Sequence, residues 1–145
     1  FVAIVALVNA SLGWAGGLAG HPGLSLQGIL GELLRPLAWV LGVPWRDTVY
    51  VGGMIGLKTT LNDFVAYAQF ARDLGNGMTL APRSALILTY ALVGFANFGS
   101  IAIQIGGIGG LVPERRGEIA RFGLRAMIAG NFAAFTSAAI AGMLL

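Results

Sequence analysis

The sequence predicts an all-α integral membrane protein, with transmembrane helices, a re-entrant helical hairpin and a broken helix at the membrane midplane. Three observations carry that prediction. First, 57% of the residues are hydrophobic and 10% are charged, where a soluble domain carries about 25% charged residues; mean hydropathy is +0.81. Second, the stretch from Ser84 to Val112, SALILTYALVGFANFGSIAIQIGGIGGLV, holds no charge and exceeds the roughly 20 apolar residues a helix needs to cross a bilayer. Third, Gly94, Asn97, Gly99 and Ser100 fall in its middle, where hydrocarbon is deepest. Each glycine costs about 1 kcal/mol in a helix interior relative to alanine. Two of them around an amide and a hydroxyl predict a local opening of the helix. Backbone freed at that depth is tolerated only where protein or a watery cavity covers it, and discontinuous helices are where many secondary transporters hold substrate. Residues 95–100 are therefore expected to form half of a polar solute site.

The elements follow in order. Residues 1–20 are uncharged and read as the end of a spanning helix. No basic n-region marks a cleaved signal, and a chain that starts at Phe1 inside an apolar run reads as part of a longer protein. Gly13, Gly17 and the pair Gly16 and Gly20 have the small-xxx-small spacings of close helix contacts. Asn9 reads as an interhelical hydrogen bond. Residues 21–44 hold turn chemistry at His21, Pro22 and Gly23, then a helix capped by Ser25. Leu26, Ile29, Leu30, Leu33 and Leu34 share one face of it. Pro36 should end or kink this helix. With Glu32 and Arg35 present it reads as interfacial rather than spanning, and Trp39 and Trp45 suit the headgroup belt.

Residues 45–72 read as the re-entrant hairpin, with Asp47 as cap of a helix from Thr48 to about Leu57 and the tip at 58–62. Lys58 and Asp63 lie inside this largely apolar segment. A charge at the membrane centre costs about 2.5–3.5 kcal/mol on insertion scales, so both must face protein or water. Asn62 suits the N-cap of a helix starting at Asp63, and a carboxylate suits that positive end. Residues 73–112 comprise a polar loop to Arg83 and the broken span. Residues 113–145 form the last transmembrane helix. Arg115, Arg116, Arg121 and Arg125 at its start place the 113–125 turn in the cytoplasm; the hairpin then opens outside, where Arg35, Arg46, Arg72 and Arg83 argue against that orientation.

Composition also excludes classes of function. The chain has no cysteine and one histidine, so neither a disulfide framework nor a Cys/His metal cluster is expected. The pI near 10.0 does not indicate nucleic acid, because the arginines flank apolar spans and form no basic run. The Gly106–Gly110 run lacks the preceding strand and following Lys of a phosphate loop. No nucleophile–base pair is present, so an enzyme is not expected.

The chemistry concentrates in two places. Asn97, Ser100 and Gln104, with Tyr90 seven residues before Asn97, share one face if the segment is helical. Asn and Ser both donate and accept, which suits sugar hydroxyls or a base edge. On spacing alone, hydrogen bonding between packed helices fits equally well. Asp63, acceptor-only when ionised, can take both hydroxyls of a vicinal diol such as ribose. It can equally be a helix cap, an ion pair with Lys58, or a group that couples a proton or cation.

At Asn62-Asp63-Phe64-Val65-Ala66-Tyr67 and Gly94-Phe95-Ala96-Asn97-Phe98-Gly99-Ser100 the chain resembles the concentrative nucleoside transporters. The resemblance extends through Gly56-Leu57-Lys58-Thr59, Ala91-Leu92, Ile105-Gly106-Gly107 and Pro113-Glu114-Arg115-Arg116 to essentially the whole chain. It implies the C-terminal part of a multi-pass, sodium- or proton-coupled nucleoside symporter, a homotrimer of a cell membrane (the bacterial inner membrane) that works by an elevator-like movement. Nucleoside and lipid are the implied partners, and no cofactor beyond the coupling ion. By the same resemblance Asp63 is a ribose ligand, and Phe95, Asn97 and Ser100 carry further ribose contacts. Asp63 stands where the family pattern has Glu, and Gly99 where it has the first Ser of a pair. The family's other half-site, a first hairpin that reads the base and builds the sodium site with the broken helix after it, lies outside these 145 residues. A carrier for another polar solute, or a channel or proton relay gated by Lys58 and Asp63, are the alternatives.

Overall fold

The computed structural model describes residues 2–18, 20 and 23–145. Their regular structure is helical throughout: α1 (Val2–Leu18), α2 (Leu26–Val40), α3 (Thr48–Thr60), α4 (Asp63–Gly75), α5 (Pro82–Ala91), α6 (Phe98–Leu111) and α7 (Arg116–Met143), with single 3-10 turns at Trp45–Asp47 and Pro113–Arg115. The turn expected at His21 and Pro22 lies outside the described residues. Helices α3 and α4 form a hairpin with only Leu61 and Asn62 between them. The span predicted over 84–112 is two helices separated by residues 92–97, so Gly99 and Ser100 already belong to the first turn of α6. Helix α7 packs along both α5 and α6 and bridges the break. With its leading turn it is long and apolar enough to cross a membrane.

Local signals act where they were expected. The Ser25 side chain accepts from Gly28 N at 3.1 Å, and Asn62 Oδ1 accepts from Val65 N at 2.8 Å. Asn9 joins α1 to α2: its Nδ2 donates to Gln27 Oε1 at 3.0 Å and its Oδ1 accepts from Leu26 N at 2.8 Å. In each case a short polar side chain meets a backbone donor that a helix start leaves unpaired.

The core lies between α2, α3, α5 and α7, around residues such as Ala38, Val51, Ile55, Leu88 and Ala138. Its closest approach is α2 on α3, and glycine permits it. A Cβ at Gly31 would lie 2.5 Å from Val49 O, and one at Gly53 would lie 2.7 Å from Gln27 O. The glycines packed most closely against a neighbouring backbone are thus on α2 and α3, while Gly123 and Gly142 of α7 meet the side chains of Ile101 and Ile87. Gly13, Gly17 and Gly20 have no neighbour within 4 Å of a built Cβ among the described residues. The α2 face turned to α3 accordingly carries Gly31 and Ala38, both buried, while Leu33, expected on the apolar face, is 70% exposed.

Two further expectations are corrected. Of the two outcomes expected at Pro36, an end to the helix is not found: α2 continues to Val40. The Pro36 ring lies on the exposed side, where the lost hydrogen bond does not disturb the glycine-packed face. Asp47 does not cap α3. It sits in the 3-10 turn at φ −99°, ψ −8° and makes no cap hydrogen bond there, because a capping side chain needs an extended backbone. Its Oδ2 instead accepts from Ala81 N at 3.1 Å and from the buried Ser84 hydroxyl, at the start of α5. Asp47→Ala should therefore lower stability by about 1–3 kcal/mol, the cost of orphaning buried donors. Chemical denaturation should show no comparable effect for Arg46→Ala, whose side chain is mostly exposed.

Large apolar side chains on the outer faces of α1, α6 and α7, among them Trp14, Ile103, Leu111 and Phe132, are more than half exposed. Such faces belong against lipid or further protein rather than water.

Candidate functional site

The hairpin tip and the helix break face each other. At the tip, α3 ends in two threonines whose hydroxyls donate back to Ile55 O and Gly56 O at 2.8 and 2.7 Å. The chain turns at Leu61, and α4 begins at Asp63. At the break, α5 stops at Ala91. Gly94 takes φ +116° and Phe95 φ +48°, left-handed backbone that glycine adopts freely and phenylalanine rarely. The chain then re-enters a helix through Asn97, whose Oδ1 accepts from Ser100 N at 2.8 Å and from Ser100 Oγ at 3.0 Å.

Asp63 and Asn97 meet across this contact. Asn97 Nδ2 donates to Asp63 Oδ2 at 3.4 Å. Both side chains are buried, and Asp63 Oδ1 has no hydrogen-bond partner among the described residues. The N-terminal ends of α4 and α6 converge here, each with a partial positive charge that favours an anionic or lone-pair ligand group. Phe95, Asn97, Ser100 and Gln104 line one side of a cleft of about 110 Å³, and Gly123, Met127 and Gly130 of α7 line another; the Asp63 carboxylate is joined to this cleft only through Asn97 and is not among its lining residues. Phe95 is 74% exposed, an aromatic edge held out by strained backbone. Tyr90 is not among the cleft residues: the break resets the helical register, so spacing counted through it does not predict a shared face.

Gly99 sets how closely the tip approaches. A Cβ there would lie 3.3 Å from Leu61 O and 3.2 Å from Asn97 Oδ1. Two residues of this neighbourhood were not singled out from sequence. Tyr67 of α4 donates its hydroxyl to Thr89 O of α5, and Asn131 of α7 donates to Ala96 O at 2.8 Å and to Met127 O at 3.1 Å. Asn131 ties the loop of the break to the last helix. A lone amide in the apolar second half of α7 was the available signal.

The comparisons agree on one family. Residues 1–142 match the family described as "Na+ dependent nucleoside transporter C-terminus". The chain is 49% identical over 145 residues to the transporter YutK of Bacillus subtilis, covering 100% of this chain and 35% of that protein. It is 40% identical over 156 residues to sodium/nucleoside cotransporter 1 of Rattus norvegicus, covering 99% of this chain and 24% of that protein. Among solved structures it is similar to CNTnw in an inward-facing substrate-bound state, with a TM-score of 0.92 and 45% identity over 98% of this chain and 35% of the other. A substituted form of CNTnw in the intermediate 2 state gives a TM-score of 0.94. The chain therefore spans about a third or less of the relatives it matches. The family is one of membrane transporters, not enzymes, and this chain belongs to it as the C-terminal part.

Proposed function

We propose that the full-length protein carries nucleosides across a cell membrane by cation-coupled symport, and that this chain supplies the ribose-binding half of the site. The observation that carries the reading is the meeting of Asp63, Asn97 and Ser100 at the tip-to-break contact. A ribose offers two adjacent hydroxyl donors, and the Asp63 carboxylate is their acceptor: among the described residues no hydrogen bond occupies its Oδ1, which has the Lys58 ammonium 3.9 Å away. Asn97 and Ser100 supply mixed donor and acceptor groups, and Phe95 supplies an apolar surface for the sugar face. The α3–α4 hairpin is read as re-entrant and the 92–97 break as lying near the midplane, with the 113–125 arginines on the cytoplasmic side. The base-reading half and the coupling-ion site (sodium or proton) belong to the remainder of the protein, which assembles as a homotrimer in this reading. The bacterial inner membrane is the expected setting.

Uridine uptake by vesicles containing the full-length protein tests this. Uptake should saturate, be inhibited by other nucleosides, and respond to an imposed sodium or proton gradient; the effective gradient identifies the coupling ion. Indifference to nucleosides, or a steady ungated current, would reject it. Ribose recognition also has its own check. 2′-Deoxyuridine and 3′-deoxyuridine should bind more weakly than uridine by about 1–3 kcal/mol, because a buried acceptor loses its donor.

Two departures from the family pattern lie at the same contact. Asp63 is one methylene shorter than Glu, and Gly99 lacks the side chain of Ser. We read them as a matched pair, in which the missing side chain at position 99 lets the tip approach far enough for the shorter carboxylate to reach. Asp63→Glu and Gly99→Ser should each weaken uridine affinity by about tenfold through overpacking, and the double variant should lie closer to the original protein than either. Simple additivity of the two effects would refute the pairing.

A further inference from the structure

Lys58 is the only lysine of the chain and its largest fully buried side chain. Four elements meet on it. Its Nζ donates to Ala91 O at 2.9 Å and to Val93 O at 3.1 Å. It lies 3.9 Å from Asp63 Oδ1 on α4 and 5.8 Å from the centre of the Phe135 ring on α7. The two carbonyls are those released where α5 stops. A helix end leaves such oxygens without intrahelical donors, and with a partial negative charge. Among the described residues no group donates a hydrogen bond to Asp63 Oδ1. The ammonium therefore sits among two backbone carbonyls and one carboxylate, the oxygen-rich surroundings in which a protein would otherwise hold a free monovalent cation.

We propose that Lys58 is a tethered cation for this half of the site. It is a positioning residue. It fixes the open backbone at 92–97 through its carbonyls and holds the Asp63 carboxylate charged and aimed, so that this hairpin-and-break pair needs no bound ion of its own. The four neighbours account for its burial. A lysine kept only for topology would have no reason to reach the carbonyls of the break, 33 and 35 residues further along the chain. The effect on substrate rests on the nucleoside-site reading above, but the role at the break does not.

The test uses the full-length protein in lipid nanodiscs and two readouts. In Lys58→Ala, amide hydrogen exchange across residues 92–97 should accelerate by about tenfold or more, the opening expected when buried carbonyls lose their donor, while the 130–143 half of α7 exchanges as before. Uridine affinity should fall by a similar factor. Propylammonium, the fragment removed by the substitution, should restore both in part, and propanol should restore neither. Unchanged exchange at 92–97, or acceleration throughout α7 that propylammonium does not reverse, would overturn the proposal. If Lys58→Ala does not assemble, Lys58→Met combined with Asp63→Asn removes both charges together. It should assemble and still exchange fast at 92–97; protection at the original level would overturn the proposal. Failure of both variants to assemble would also overturn it, since a role confined to the break cannot account for loss of the whole fold. If the unsubstituted protein binds no nucleoside, the site reading fails, and the exchange data still decide the role of Lys58.

Discussion

Asp63→Asn in the full-length protein should lower uridine affinity by at least about a hundredfold, while Gln104→Ala should change it by about threefold or less. The estimate follows from chemistry at one atom pair. A hydrogen bond to a charged group contributes about 1.5–3 kcal/mol, and a carboxylate can take two ribose hydroxyls at once. Each 1.4 kcal/mol is a factor of ten, so the loss of charge alone accounts for the expected factor. Asparagine keeps nearly the same volume, so packing at this buried position survives. Gln104 lines the cleft with Asn97 and Ser100, one turn beyond Ser100 along α6, with no hydrogen bond to Asp63 or Asn97 in the structure. Asn97→Ala should resemble Asp63→Asn rather than Gln104→Ala, because it removes both the donor to Asp63 and the acceptor that orients Ser100. Isothermal titration with uridine distinguishes the cases; three equally small effects would dismantle the site as described.

The second large effect concerns stability. Gly52→Ala should destabilise the protein by about 3 kcal/mol or more, at the upper end of what overpacking does. A Cβ at Gly52 would lie 2.8 Å from Gly31 O, 3.1 Å from Leu34 C and 3.2 Å from Arg35 N. All three are backbone atoms of α2, so no side-chain rotation relieves the clash and the two helices must move apart. That separation would also undo the close approaches at Gly31 and Gly53. The matched control is Gly75→Ala at the end of α4, where no atom lies within 4 Å of the added carbon; it should stay within about 0.5 kcal/mol. Thermal unfolding followed by circular dichroism in detergent compares them directly. Equal melting temperatures for the two variants would contradict the close crossing of α2 and α3.

Features that depend on a few neighbouring residues were legible in the sequence. Ser25 and Asn62 each stand where a short polar side chain can satisfy a helix start three residues on, and the structure uses both as expected; Asn97 does the same for α6, a role not read from the sequence. The opening around Gly94 was visible as glycine and polar groups inside an uncharged run. The acidic residue at the hairpin tip was visible because charge inside an apolar segment demands an explanation. Misreadings arose where the partner is distant or the backbone is reset. Asp47 looked like the cap of its own helix, yet its carboxylate serves the start of α5, 34 and 37 residues away. Tyr90 looked aligned with Asn97 only if the intervening turns were regular. Pro36 looked like an end or a kink because an isolated helix loses a hydrogen bond there, and α2 runs on past it.

The residues alone determined the helical membrane class, the hairpin turn, the broken span and the chemical types at the site, because hydrophobic excess, glycine placement and helix-end hydrogen bonds act over a few residues. The tertiary structure decided which of these groups meet. It set Lys58 against the carbonyls of the break, Asp63 against Asn97, and Asn131 against Ala96. These contacts span 33 to 35 residues. Helix packing selects them, and packing depends on the summed shape of α2, α3, α5 and α7 rather than on any local pattern.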